Sequence, residues 1–210
     1  MGLGQGVGRR RSSRGRAPEP PDADRPDHAA DPPADPESVA RTICLNLLTT
    51  RARSRAELAG ALARKDVDDD VAGRVLDRLG AAGLVDDAAF AEQWVSSRHR
   101  HQGLGKRALA GELHRKGVDR ETATTAVEEI GRDDERARAR ALVDRRLPSL
   151  ARFEHAVAAR RLVGMLARKG YDAGVAYGVV REALAERPSP DETGDEALDD
   201  LLSDPDADHR

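Results

Sequence analysis

The chain has 210 residues with 35 Lys+Arg against 38 Asp+Glu, a formal net charge of -3, which excludes a whole-chain polycation of the histone kind. Aromatics make up only 2% of it, so a base-stacking RRM sheet or OB barrel is not expected. The single cysteine, Cys44, excludes an internal disulfide and any multi-cysteine zinc site, and fits a reducing compartment.

Residues 1–37 open with the basic run GRRRSSRGR and continue rich in Pro and Asp, which predicts a disordered tail. A first repeat is expected over 38–85. It holds a helix over 39–50 and a capping box at Ser54 and Glu57. Asp68 then caps a helix whose apolar stripe is Val71, Val75, Leu76 and Leu79. A second repeat spans 86–131, with Asp86 capping a helix over 88–101 and Asp119 capping another. A third spans 132–185, with a helix over 134–147, an insertion-like stretch at Pro148–Val157 and a cap at Asp172. Gly83, Gly117, Gly131 and Gly170 are expected to end helices in the left-handed conformation. Residues 186–210 read as a disordered acidic tail. Without the tails, residues 38–185 carry 27 Lys+Arg and 21 Asp+Glu, so the core is basic. No apolar run approaches the roughly 18 residues of a membrane span. The N-terminus has no apolar stretch of a secretory signal, so the cytoplasm is the expected location.

An internal repeat organises this core. Leu58–Asp68 (LAGALARKDVD), Leu109–Asp119 (LAGELHRKGVD) and Leu162–Asp172 (LVGMLARKGYD) superimpose without gaps at offsets of 51 and 53 residues. Strand signals are missing throughout. The expected fold is all-α: three tandem three-helix repeats in an elongated, curved array. Gly60, Gly111 and Gly164 fall in mid-helix, where glycine costs roughly 1 kcal/mol, and suggest close helix–helix approach. The pairs Arg64-Lys65, Arg115-Lys116 and Arg168-Lys169 end their helices, where cations complement the dipole. The same pairs could form a basic ridge, one dipeptide per repeat.

No catalytic constellation is present, so an enzyme, a metal and a cofactor are not expected. Gly103-Leu104-Gly105-Lys106 looks like a phosphate loop but follows no strand, and reads as a link between helices. His99 and His101 face different sides of a helix and, with His114, are expected to be solvent-exposed. Cys44 reads as a small buried hydrophobe, and Trp94 and Phe90 as core. From Arg98 to Arg120, seven cations (Arg98, Arg100, Lys106, Arg107, Arg115, Lys116, Arg120) oppose only Glu112 and Asp119. A one-signed stretch of this kind suits phosphate-backbone contact or an acidic protein surface.

The core resembles the RecX regulatory proteins. The resemblance is carried by Asp87-x-x-Phe90-Ala91-x-x-Trp94-Val95-x-x-Arg98, by Gly103, Lys106, Leu109, Glu112-Leu113 and Lys116-Gly117-Val118, by LVGMLARKGY at 162–171, and by Gly83–Asp87. It implies three tandem three-helix repeats and a regulator of the RecA recombinase in DNA repair and the SOS response. Such a regulator binds the RecA–DNA filament and restrains ATP hydrolysis, strand exchange and co-protease action. It also binds single- and double-stranded DNA. On this reading the contacts are led by Arg98, Arg100, Lys106, Arg107, Arg115 and Lys116, flanked by Arg64-Lys65 and Arg168-Lys169, on a monomer that needs no membrane. The alternatives are a stand-alone helical module that grips the phosphate backbone and a helical adaptor with another protein partner.

Overall fold

The computed structural model describes residues 35–186, so nearly all of both expected tails lies outside the described residues. Within them the chain forms nine α-helices and one short 3₁₀ turn, and no strand. The first three helices are α1 (Pro36–Thr50), α2 (Arg55–Ala63) and α3 (Asp69–Ala81). The next three are α4 (Asp87–Gln102), α5 (Lys106–Arg115) and α6 (Arg120–Glu128). The last three are α7 (Arg132–Arg146), α8 (His155–Arg168) and α9 (Ala173–Ala185). α1 starts two residues before the expected boundary. Pro36 suits a first helical turn, and Glu37 accepts hydrogen bonds from Arg74 (2.7 Å) and Arg78 on α3.

Local sequence accounts for the helix starts. Ser54 and Glu57 form the complete capping box, and Asp68, Asp86, Asp119 and Asp172 each accept backbone N–H groups of the helix they open. The left-handed glycines are Gly83, Gly103, Gly117 and Gly170. Gly131 instead sits at φ −57° as the residue that opens α7, because α6 has already stopped at Glu128.

Each set of three helices closes on its own core. The repeated leucines Leu58/Leu62, Leu109/Leu113 and Leu162/Leu166 are all fully buried, one pair at the centre of each core. They lie four apart, so one helical face carries both. Cys44 is buried in the first core and Phe90 in the second. The Pro148–Val157 stretch begins within the 3₁₀ turn Leu147–Leu150. It contributes Leu150 and the half-buried Phe153 to the third core.

The three units are joined by the turn that carries the Arg-Lys pair. The Ser54 hydroxyl accepts the Glu57 N–H and also donates to the Lys116 carbonyl of the next unit, 2.6 Å away. At the following joint, the equivalent Gly105 N–H donates to the Lys169 carbonyl (2.8 Å) and the Arg107 N–H to the Gly170 carbonyl (3.1 Å). An acid from the following unit meets the free amides of the same helix start. Asp87 accepts from the Arg55 N–H (2.8 Å), and the buried Glu135 faces the Lys106 N–H (3.5 Å).

This contact explains one variable position of the repeat, held by Asp66, Gly117 and Gly170. Gly117 and Gly170 have positive φ, and an added Cβ would overlap Ala56 in one case and the Ala108 backbone in the other. In the first unit no preceding unit lies against this turn among the described residues, and there Asp66 occupies the same left-handed position, exposed. The mid-helix glycines play another part than expected. A Cβ on Gly60, Gly111 or Gly164 would meet no second helix, only the Nη1 of Arg64, Arg115 or Arg168, at 3.5, 3.6 and 3.4 Å. Each repeated arginine folds back across the glycine four residues earlier.

Candidate nucleic-acid interface

The repeated dipeptide splits into two roles. Arg64, Arg115 and Arg168 are exposed and have no ion-pair partner among the described residues. The lysines beside them behave differently because one residue along a helix turns the side chain by about 100°. Lys116 Nζ reaches back across the joint to Glu57 Oε1 (2.9 Å) and lies 4.0 Å from the centre of the Trp94 ring. Lys169 Nζ donates to the Gln102 carbonyl (2.8 Å) at the second joint. Lys65, which meets no preceding unit among the described residues, is exposed.

In the central stretch the other cations divide in the same way. Arg98 sits 4.2 Å from the Trp94 ring centre and 3.7 Å from Glu112, which also accepts the Trp94 indole N–H at 2.8 Å. Trp94 is half-buried, stacks on Phe90 at 5.8 Å between ring centres and is covered by two cations, so it offers no bare platform to a base. The Arg100 side chain is exposed and bonds to Ser96 on its own helix, while its carbonyl accepts from Arg138 of α7. Arg107 is exposed and Lys106 half-buried, both without an ion pair among the described residues. Arg100, Arg107 and Arg115 therefore remain open to an anion, with Arg64, Lys65 and Arg168 from the flanking units, while Arg98, Lys116 and Lys169 are engaged within the protein.

His99 departs from expectation. It is 8% exposed, and its Nδ1 lies 2.8 Å from the Leu104 carbonyl, so that nitrogen carries the proton. It continues the stripe of Ala91 and Val95 at a spacing of four, and that spacing is the signal by which it was legible. His101 and His114 are exposed. Among the described residues no three His, Cys, Asp or Glu side chains gather as a metal would require, and no helix is long and apolar enough to cross a membrane.

Glu135 was not legible in the sequence, where the mixed-sign run RDDERARAR reads as a solvated face. Beside it, Tyr171 donates to the Gly103 carbonyl at 3.3 Å, and burial pushes its phenol up to about 12. Burial alone would raise the Glu57 carboxyl. Hydrogen bonds from Arg51 and Lys116, with their positive charges, outweigh it and hold the group at about 2.

The three units coincide with three family models. The first three-helix domain of RecX matches residues 40–79, the second 86–127 and the third 133–180. The regulatory protein RecX of Thermobifida fusca (strain YX) is 50% identical over 183 residues, covering 80% of this chain and 99% of that protein. That of Mycobacterium avium (strain 104) is 54% identical over 151 residues, covering 71% and 87%. The crystal structure of RecX from Lactobacillus salivarius superimposes with a TM-score of 0.69 at 20% identity, over 72% of this chain and 99% of that one, and shows the same fold. With all three domain models matched in order and half-identical relatives along most of its length, the chain belongs to the RecX family of regulatory proteins.

Proposed function

We propose that the chain is a non-enzymatic regulator that binds the RecA–DNA filament in the cytoplasm and restrains RecA ATP hydrolysis, strand exchange and co-protease activity. The observation that carries this reading, beside family membership, is the set of exposed arginines without ion pairs, one from each repeated turn (Arg64, Arg115, Arg168), with Arg100 and Arg107 between them. A filament presents phosphate and protein side by side along its length. A tandem array that offers one outward guanidinium per unit fits such a surface better than a single pocket would. The contacts carry no base-sequence preference, since phosphate has none to read.

The test is RecA ATPase and strand exchange on single-stranded DNA, titrated with the purified protein. Inhibition is expected, weakened when Arg100, Arg107 and Arg115 are replaced together by alanine. If RecA activity is unaffected by the unsubstituted protein, the reading fails. If DNA binding then proves independent of RecA and falls steeply with salt, the chain is a stand-alone phosphate-binding module instead.

A further inference from the structure

We infer that the third unit carries a second phosphate-binding surface for nucleic acid, formed by Arg145, Arg146, Arg152, Arg160 and Arg161, separate from the central stretch. From the end of α7, through the 3₁₀ turn, to the second turn of α8, residues 145–161 hold five arginines and one acid, Glu154. All five arginines are exposed, and none forms an ion pair among the described residues. The same unit shows what a merely solvated arginine does here. Arg136 pairs with Glu182 (2.6 Å), and Arg140 with Asp144 (2.8 Å) and Glu186. The five arginines lie within one segment of the chain that supplies a single acid, Glu154, and two of them, Arg152 and Arg161, meet at one ring.

Two of them are held in place. The Arg161 guanidinium lies 3.9 Å and that of Arg152 4.9 Å from the centre of the Phe153 ring, whose own position is fixed by packing against the third core. A stacked guanidinium keeps its N–H edge free and directed, which is the geometry that grips a phosphate through two hydrogen bonds. Repeat position supplies a further reason. Arg160 and Arg161 align with Arg107 and Ala108, and with Ala56 and Glu57, the helix starts on which the first two units receive the turn of the next. At the second of these positions Arg161 stands where the first two units have Glu57 and Ala108, and no further unit covers it among the described residues.

The occupant is nucleic acid rather than an acidic protein because the surface offers charge without an apolar anchor. The exposed large hydrophobic residues among those described, Val39, Leu45 and Leu84, all lie in the first unit. A protein partner needs such an anchor at its centre, whereas the phosphate backbone needs only cations. The inference invokes no RecA contact and stands apart from the preceding reading.

The experiment uses the full chain and a fluorescein-labelled single strand without RecA, read by anisotropy across a salt series. Each phosphate contact contributes roughly 0.7 to the slope of log affinity against log salt, so R152A/R160A/R161A is expected to lower that slope by about 2. Over about 50 to about 200 mM salt, the loss of affinity should then shrink by roughly 16-fold. R145A/R146A, which leaves the Phe153 stack untouched, should lower the slope by about 1.4 and decides the matter if the triple variant fails to fold. Slope and affinity equal to those of the unsubstituted chain in the folded variants overturn the inference. RecA inhibition is measured separately, so failure here and failure of the regulatory reading are distinct results.

Discussion

Lys116 at the end of α5 forms an ion pair with Glu57 on α2, 2.9 Å across the joint between the first two units. Both side chains are about four-fifths buried, and the same ammonium lies over Trp94. Lys116→Ala should therefore cost about 2 kcal/mol and lower the cooperativity of urea unfolding, because it removes a charge-assisted bond and a cation–π contact together.

Glu57 makes that joint acid-sensitive. Its carboxyl falls from an ordinary 4.5 to about 2 in the folded protein. A depressed carboxyl stabilises the fold above its unfolded pKa, and that stability is lost as pH falls through the folded one. Stability should thus decline between about pH 4.5 and about pH 2 by on the order of 3 kcal/mol from this group. The decline should be measurably shallower in Glu57→Gln. Urea midpoints taken across that window check it, and parallel curves for the two proteins would exclude the assignment.

Glycine substitutions should have opposite outcomes by position. Gly117→Ala must place a methyl against Ala56 at a positive φ, and is expected to destabilise by about 2–4 kcal/mol. Gly83→Ala meets nothing within 4 Å and should cost only the backbone penalty, about 1 kcal/mol. Gly60→Ala and Gly111→Ala meet only a movable arginine and should stabilise by up to about 1 kcal/mol through helix propensity. Thermal melts of the four variants rank them directly.

The helices, their caps and the repeat were legible in the sequence because each depends on residues within about four positions. Ser54, Asp119 and Leu109 announce their roles locally. The joints were not. Ser54 meets Lys116 across 62 residues, and Tyr171 meets Gly103 across 68. No periodicity within a unit reports what its neighbour covers. The Arg-Lys pair illustrates the limit: charge and spacing made its two members equivalent, while packing turned arginine outward and lysine into the joint. The Asp at 66, where the other two repeats have glycine, was the written sign of the joint, since among the described residues that turn alone packs against no preceding unit.

Cys44 provides a probe of the first unit. It is fully buried, and burial pushes its thiol above the ordinary value. A disulfide reagent should therefore react only slowly with the native protein and fully in denaturant. Under native conditions its slow rate should increase in Lys116→Ala if the joint holds the first unit closed.

The split within the dipeptide yields the sharpest separation between binding and stability. Arg64, Arg115 and Arg168 are exposed, form no ion pair among the described residues and fold back beside the glycine four residues before them, so replacing all three by alanine should leave the melting temperature within a few degrees of the parent. Lys116 and Lys169 hold the two joints, so their replacement should lower it clearly. DNA affinity and RecA inhibition should follow the reverse order, falling most in the arginine variant. A lysine variant that melts normally yet loses DNA binding would reassign the lysines to the interface. An arginine variant that binds and inhibits as the parent does would leave the repeated guanidinium without the role given to it here.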